Sequence, residues 1–311
     1  MSNRPVIWIT EPIHADALDK LGAVAEILGP GPLPEARSDE VQAIIVRANT
    51  IDKTLCDRLP ALRVVGKHGA GTDNIDLPLM AERGVEVFKT EGANAESVAD
   101  LAVLHAMTLL RSPHRHDQAL RKGRNGDDGV RVGYELSERR AGILGVGAIG
   151  RAVAKRLSDG FGAQVHGYDP VLPEHLWPET IVRKTDFDAF LAETDLLFLH
   201  LPLTPETHHL IDARALDQLR PGAFVVNCAR GGIVDEAALA KAMRSGQIAG
   251  AASDVFESEP PPPDALLFAD DLNFIGTPHI GASTQAGLRR TGMMIADKVL
   301  NALLLEKEVE L

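Results

Sequence analysis

Three segments in the second half of the chain gather side chains suited to proton transfer and anion binding. They are Asn227-Cys-Ala-Arg230-Gly-Gly-Ile-Val-Asp235, Asp254-Val-Phe-Glu257-Ser-Glu259-Pro260 and Thr277-Pro278-His279-Ile-Gly281-Ala-Ser283. An arginine grips a carboxylate or carbonyl oxygen through its planar fork. A histidine gives or takes a proton near neutral pH, and a nearby carboxylate orients the ring and stabilises its protonated form. Each residue alone has an ordinary reading: a surface ion pair for Arg230, a solvated loop for a glutamate before prolines, a structural role for His279. All three follow strand-like runs, however, and open parallel sheets bind ligands at the ends of their strands. Together they are the parts needed to reduce a 2-keto acid, with the hydride left to a cofactor. The residues alone do not choose between Glu257 and Glu259.

Upstream, Gly145-Val-Gly147-Ala-Ile-Gly150 follows the apolar run Ala141–Leu144 and opens a helical stretch, Arg151–Leu157. In such a strand–turn–helix the first glycine permits a tight turn and the second lets backbone amides approach a pyrophosphate. The third allows close helix–strand contact. The helix N-terminus adds free N–H groups and a partial positive charge. Asp169 ends the next strand-like run, 19 residues after Gly150, where an acidic side chain accepts hydrogen bonds from an adenosine ribose. A glycine turn by itself is weak evidence; the flanking elements, order and acidic partner together make it a dinucleotide site. The carboxylate would repel a 2′-phosphate, so NAD is expected over NADP, with Arg151 and His166 as nearby counter-charges.

Elements that could hold these parts alternate along the whole chain. Short β-rich runs lie at Val6–Thr10, Ala23–Leu28, Ala43–Val46, Arg63–Gly66 and Val85–Phe88, then at Arg140–Leu144, Gln164–Tyr168, Asp195–Leu199, Phe224–Asn227, Ala251–Val255 and Asn273–Thr277. Amphipathic helical patterns separate them, which is the signature of βαβ units and parallel sheets. The expected fold is α/β, two doubly wound parallel-sheet domains: a flavodoxin-like N-terminal one and a C-terminal Rossmann dinucleotide-binding one. The joint falls near Glu91-Gly92-Ala93-Asn94, with Asn94 a candidate N-cap for a helix over Ala95–Leu110. The spans expected are 1–94 with 284–311 for the substrate domain, and 95–283 for the NAD-binding domain. Residues 111–139 read as exposed helix and loop, and Thr284–Leu305 as a helix that packs back on the first domain.

Length and composition bound the possibilities. A chain of 311 residues with 45% hydrophobic and 24% charged residues suits two globular domains and excludes a disordered or fibrous chain. The net charge of −12 disfavours nucleic acid and anionic membrane as partners. The two cysteines, Cys56 and Cys228, are far apart and form no metal motif, so no metal is expected. The chain enters a strand-like run directly after its first residues, without a signal-peptide pattern, and its longest apolar stretch falls short of a membrane span. A cytoplasmic location is the expectation.

Taken in order, these segments resemble the D-2-hydroxyacid dehydrogenase family, the group that includes D-3-phosphoglycerate dehydrogenase, glyoxylate/hydroxypyruvate reductases and D-lactate dehydrogenase. The resemblance covers essentially the whole chain: Lys67-His-Gly-Ala-Gly-Thr-Asp-Asn-Ile-Asp76, Ser97-Val-Ala-Asp100, Gly145–Gly150, His200-Leu-Pro-Leu-Thr-Pro-Glu-Thr207, Asn227–Asp235, Asp254–Pro260 and Pro278–Thr284. It implies that Arg230 binds the keto acid, that His279 exchanges the proton, and that Glu259, which immediately precedes the proline, is its carboxylate partner. It implies substrate carboxylate binding by the backbone of Ala70 and Gly71. Around NAD it places Gly145, Gly147, Ala148, Ile149, Gly150, Asp169, Leu201, Cys228, Asp254 and Ala282. A homodimer using residues 111–139 is implied too. Asp100 stands where the family often has Glu. With the chain ending at 311, the short form without a regulatory domain is expected.

The substrate itself stays open. Arg47 and the pair Lys67-His68 lie at strand ends of the first domain, where two cations would suit a second anionic group such as a phosphate or sulfonate. Candidates are 3-phosphohydroxypyruvate, sulfopyruvate, hydroxypyruvate or glyoxylate, and a plain alkyl 2-keto acid. A different reading is a non-catalytic, NAD(H)-responsive scaffold, since transcriptional corepressors resemble the same family; the complete Arg230/Glu259/His279 set argues against it. Formate and phosphite dehydrogenases share the fold, but formate enzymes generally pair the histidine with Gln. Two scattered cysteines cannot build a zinc alcohol dehydrogenase site.

Overall fold

The computed structural model describes residues 4–33, 35–125 and 132–309. It divides into two compact units, one taking in the chain up to Asn94 and from Ala282 onward, the other running Ala95–Gly281. The division falls between Gly281 and Ala282, two residues before the expected one.

The first unit holds five strands: β1 (Val6–Ile9), β2 (Glu26–Leu28), β3 (Val41–Val46), β4 (Val64–Lys67) and β5 (Glu86–Phe88). All pair in parallel, in the order β2-β1-β3-β4-β5, which is the flavodoxin-like doubly wound arrangement. β1 and β4 are buried at every position, because helices cover both faces of the sheet. One face packs beneath α2 (Lys53–Cys56) and α3 (Leu77–Glu82); the other is covered by α1 (Ala15–Val24). The chain's last helix shares that second face and is labelled below in its turn.

The second unit is a seven-stranded parallel sheet. Its strands are β6 (Ala141–Leu144), β7 (Val165–Tyr168), β8 (Val182–Lys184), β9 (Leu196–Leu199), β10 (Ala223–Asn227), β11 (Ile248–Ser253) and β12 (Phe274–Gly276). The order β12-β11-β10-β9-β6-β7-β8 reverses between β6 and β9, and that switch point is where such sheets open a ligand crevice. The helices are α4 (Ala95–Arg111), α5 (Pro113–Arg121), α6 (Ala148–Lys155), α7 (Phe187–Ala192), α8 (Ala213–Gln218) and α9 (Glu236–Ser245). α4 and α6 pack on one face, α7 to α9 on the other. α10 (Gln285–Val309) belongs to the first unit, where Ile295, Val299 and Leu303 pack with Ile7, Ile9 and Ala17.

Helix starts are written in aspartates. Asp52, Asp76, Asp186, Asp212 and Asp235 each accept the backbone N–H three residues on, satisfying one of the free donors at a helix start. α9 ends at Gly246 with φ 80°, a left-handed stop.

Several boundaries differ from expectation for physical reasons. β8, Val-Arg-Lys at the sheet edge, has no apolar run to announce it. Ala23 and Val24 finish α1 or lie beside its cap, and β2 starts only at Glu26. The helix after the glycine turn begins at Ala148, not Arg151, because Gly147 is already its cap, and it passes into a π turn at Arg156–Gly160. Asn94 does not cap α4 through its side-chain oxygen, which is buried without a hydrogen bond. In the segment expected as helix and loop, α5 is observed; residues 126–131 lie outside the described residues.

Candidate active site

The glycine turn closes β6 onto α6. Gly145 has φ 91°, and a side chain there would strike the His200 carbonyl oxygen at 2.6 Å, so only glycine makes this turn. Around the Gly147 cap nothing stands within 4 Å of an added Cβ, which leaves the start of α6 open. The N–H groups of the first turn, at Ala148, Ile149 and Gly150, have no partner within the helix and face that opening as anion donors. Asp169, just past β7, accepts from Val146 N at 2.9 Å through Oδ2, and from Val171 N and Leu172 N at 3.2 and 3.1 Å through Oδ1. A carboxylate offers about four acceptor positions, so capacity remains for a hydroxyl.

The two nearby counter-charges are spent elsewhere. Arg151 donates to the carbonyls of Val146 (Nε, 2.9 Å) and Leu176 (Nη2, 3.0 Å). His166 is buried against Thr194 Oγ1 at 2.9 Å, and burial lowers its pKa. His200, beside the turn, has both ring nitrogens buried without a hydrogen-bond partner, and burial pushes its pKa down to about 3. Cys228 is buried and its thiol is pushed up by that burial. Leu201 is half-buried. An open helix start, an anchored carboxylate and orphaned buried ring nitrogens fit a nicotinamide dinucleotide along this edge.

At the end of β10, Asn227 shapes the next loop: its Oδ1 accepts from Ala229 N at 3.0 Å and its Nδ2 donates to Arg230 O at 2.9 Å. Arg230 is half-buried and donates from Nη1 to Ala229 O at 2.7 Å. The following residue, Gly231, lies against the loop after β11; an added Cβ would meet the Phe256 carbonyl carbon at 1.9 Å and Glu257 N at 2.4 Å.

That second loop carries Glu259. Its Oε1 accepts from Phe256 N at 3.1 Å and its Oε2 stands 2.8 Å from His279 Nδ1. Burial raises the Glu259 pKa, but the hydrogen bond and charge of His279, the Phe256 N–H and the Arg230 charge outweigh it, and the carboxyl lies below its usual range. The ionised Glu259 therefore accepts a hydrogen bond from Nδ1–H, and Nε2 is the ring nitrogen left to exchange a proton. Side-chain exposures of 50% for His279 and 38% for Glu259 keep the pair open to small molecules. Glu257 goes elsewhere: its Oε1 lies 3.0 Å from His209 Nε2.

Asp254 holds the histidine turn from the other side. Its carbonyl accepts from His279 N at 2.9 Å. Its Oδ1 accepts from Ile280 N at 2.8 Å and from Thr277 Oγ1 at 2.6 Å, and its Oδ2 from Gly281 N at 2.7 Å. His279 itself has φ 52°. Of the expected cofactor residues, Ala282 alone falls in the first unit.

In the first unit the expected substrate residues are arranged differently. Glu11, which sequence reasoning missed, accepts from Arg47 N, Ala48 N and Asn49 N at 2.9, 2.6 and 2.7 Å. Burial works against its charge, but the Thr10 hydroxyl and those three amides hold its pKa below the ordinary value. Lys67 is only 8% exposed and its ammonium donates to Arg47 O and Asn74 Oδ1, so it braces the loop after β3. Arg47 donates from Nη1 to Pro12 O at 3.1 Å. His68 is also 8% exposed, and burial, then the Arg47 charge, push its pKa to about 4. Ala70 and Gly71 lie half-buried beyond Gly69, whose N–H donates to Thr90 Oγ1 at 2.9 Å. Glu11 carried no signal in the sequence, being a single polar residue in a loop, and Asn74 stood within a family-like motif whose contact with Lys67 the order of residues does not display.

Comparison with known proteins adds independent findings. Residues 103–281 match the family described as D-isomer specific 2-hydroxyacid dehydrogenase, NAD binding domain. A D-3-phosphoglycerate dehydrogenase from Methanocaldococcus jannaschii is 35% identical over 96% of this chain, which spans 57% of that relative's length. A hydroxypyruvate reductase from Thermotoga maritima is 38% identical over 85% of both chains. Among solved structures, an NADPH-dependent glyoxylate/hydroxypyruvate reductase from Sinorhizobium meliloti superimposes with a TM-score of 0.85 at 28% identity, covering 97% of this chain and 95% of that one. A D-lactate dehydrogenase from Aquifex aeolicus, complexed with NAD and lactic acid, gives 0.82 at 27% identity over 97% and 96%.

Proposed function

Given that this chain belongs to the D-isomer specific 2-hydroxyacid dehydrogenase family, we propose that it interconverts a 2-hydroxy acid and its 2-keto acid with NAD. The observation that carries this reading is the 2.8 Å contact between His279 Nδ1 and Glu259 Oε2, which leaves Nε2 without a hydrogen-bond partner among the described residues, on the sheet that also carries the glycine turn. When bound along this edge, NAD would supply the hydride chemistry at the carbon that bears the substrate's keto or hydroxyl oxygen. During reduction, His279 Nε2 gives its proton to the keto oxygen as the C–H bond forms, and the Glu259 carboxylate stabilises the charged ring before that transfer. Arg230 grips the keto acid through its guanidinium and polarises the carbonyl. The backbone amides of Ala70 and Gly71 bind the substrate carboxylate. Asp169 disfavours a 2′-phosphate, and Arg151, tied to two carbonyls, does not offset it, which supports NAD over NADP.

Substrate choice follows from where the cations are. With the Lys67 ammonium donating to Arg47 O and Asn74 Oδ1 and His68 uncharged at pH 7, Arg47 is the one of these three positions best placed to meet a second anion. That favours a mono-anionic keto acid, hydroxypyruvate or glyoxylate, over 3-phosphohydroxypyruvate or sulfopyruvate. NADH oxidation at pH 7 against these four, with pyruvate and phenylpyruvate, tests it. Higher kcat/KM for hydroxypyruvate or glyoxylate is expected; dominance of the phosphorylated acid would return the second-anion role to Arg47. Silence across all six with NADH still bound would favour the scaffold reading. A cytoplasmic homodimer is part of the proposal. Apolar Leu104, Met107 and Leu120 on α4 and α5 are 57%, 40% and 61% exposed, as a subunit contact needs, and light scattering in solution would show a monomer if this is wrong.

A further inference from the structure

His105 sits on the buried side of α4, only 3% exposed among Ala102, Ala106 and Leu109. A core position of this kind could be filled by leucine. Instead its Nε2 lies 3.1 Å from Thr277 Oγ1, and Thr277 Oγ1 lies 2.6 Å from Asp254 Oδ1. A threonine hydroxyl has one proton to give, and an ionised carboxylate can only accept. Thr277 therefore donates to Asp254 and accepts from His105, which assigns the imidazole its Nε2–H tautomer. Burial lowers the His105 pKa, more than the Asp254 charge raises it, consistent with a neutral ring that keeps a single proton for this bond.

Asp254 in turn binds the amides of Ile280 and Gly281 and, through its carbonyl, that of His279. His279 has φ 52°, a left-handed conformation that a residue with a side chain keeps only when its surroundings impose it. Three consecutive amides drawn to one aspartate are that imposition. We propose that His105 is a positioning residue, which fixes the Thr277 hydroxyl on Asp254 and thereby holds the His279 turn in its working geometry. The functional side rests on the reading of His279 as the proton donor; the structural side does not.

The test compares His105→Leu, which keeps the volume and loses the donor, with His105→Gln, whose side-chain amide restores an N–H at similar reach. In the protein without substrate, amide hydrogen exchange at His279, Ile280 and Gly281 should quicken about fivefold in His105→Leu and return in His105→Gln, while amides of β10 keep their rates. With NADH and the best keto acid, His105→Leu should lower kcat about three- to tenfold, the worth of one hydrogen bond, with Gln restoring most of it. Thr277→Val should give a similar loss, and the double variant no more than either alone. Wild-type exchange at the three amides in His105→Leu would overturn the assignment. So would a Gln variant as impaired as Leu at equal melting temperature. Because exchange needs no substrate, a protein silent on every keto acid would sink the proposed reaction and still leave exchange to decide the role of His105.

Discussion

At the edge of the seven-stranded sheet, His279 and Glu259 form a hydrogen-bonded pair with half of the His279 side chain exposed and, among the described residues, no hydrogen-bond partner at Nε2. At the corresponding edge of the five-stranded sheet, Lys67 and His68 are nearly as buried as the core beneath them, and the Lys67 ammonium is directed at a carbonyl and an amide of its own unit. By residue type alone the two edges look alike, each a cluster of basic groups after parallel strands. What separates them is access: the His279–Glu259 pair stays open to solvent, whereas Lys67 and His68 are each only 8% exposed. In the first unit, Lys67 and Glu11 hold the loop after β3; in the second, Asn227 and Asp254 hold the loops that carry Arg230 and His279.

The sharpest way to break this contrast is at His279. Replacement by Ala should lower kcat by roughly 10²–10⁴, the range of a general acid–base contribution, while NADH binding measured by fluorescence stays put. Turnover near wild type would remove His279 from the chemistry and erase the distinction between the edges. Lys67→Met probes the other edge. Losing the ammonium should cost about 1.5–3 kcal/mol of stability in urea unfolding, the usual range for hydrogen bonds to charged groups. The kcat/KM ratio between hydroxypyruvate and 3-phosphohydroxypyruvate should move less than about twofold. A selective loss of the phosphorylated acid with full stability would make Lys67 a substrate residue after all.

The smallest effect concerns His68. Its folded pKa of about 4 lies below the ordinary 6.5, so between those values the unfolded chain binds a proton that the folded one refuses. Stability is thus full above pH 6.5 and declines as the pH falls toward 4, by no more than about 1.4 kcal/mol per pH unit from this one group. Urea midpoints at pH 7 and pH 5, for wild type and His68→Leu, measure it. Equal pH dependence in the two proteins would show that His68 is solvated.

Much of this was legible because strand runs, glycine turns and charge after strands are local signals. Val6–Ile9 and Leu196–Leu199 announced themselves by apolar runs, and Gly145–Gly150 by its spacing. β8 was not legible, since a three-residue edge strand of Val, Arg and Lys is defined by its neighbour β7 and not by its own pattern. The brace role of Lys67 was hidden for a related reason: a lysine's environment depends on Asn74 and on the Arg47 carbonyl, contacts the chain order does not display. The same holds for His105 and Thr277, which are 172 positions apart in the chain.

The seating of Gly231 against Phe256 has a consequence for anyone who would re-engineer this chain. With no room for even a methyl group between the loops after β10 and β11, Arg230 and Glu259 are not separable modules. Any loop grafted after β10 has to keep glycine at 231, because a side chain there would run into the backbone of Phe256 and Glu257.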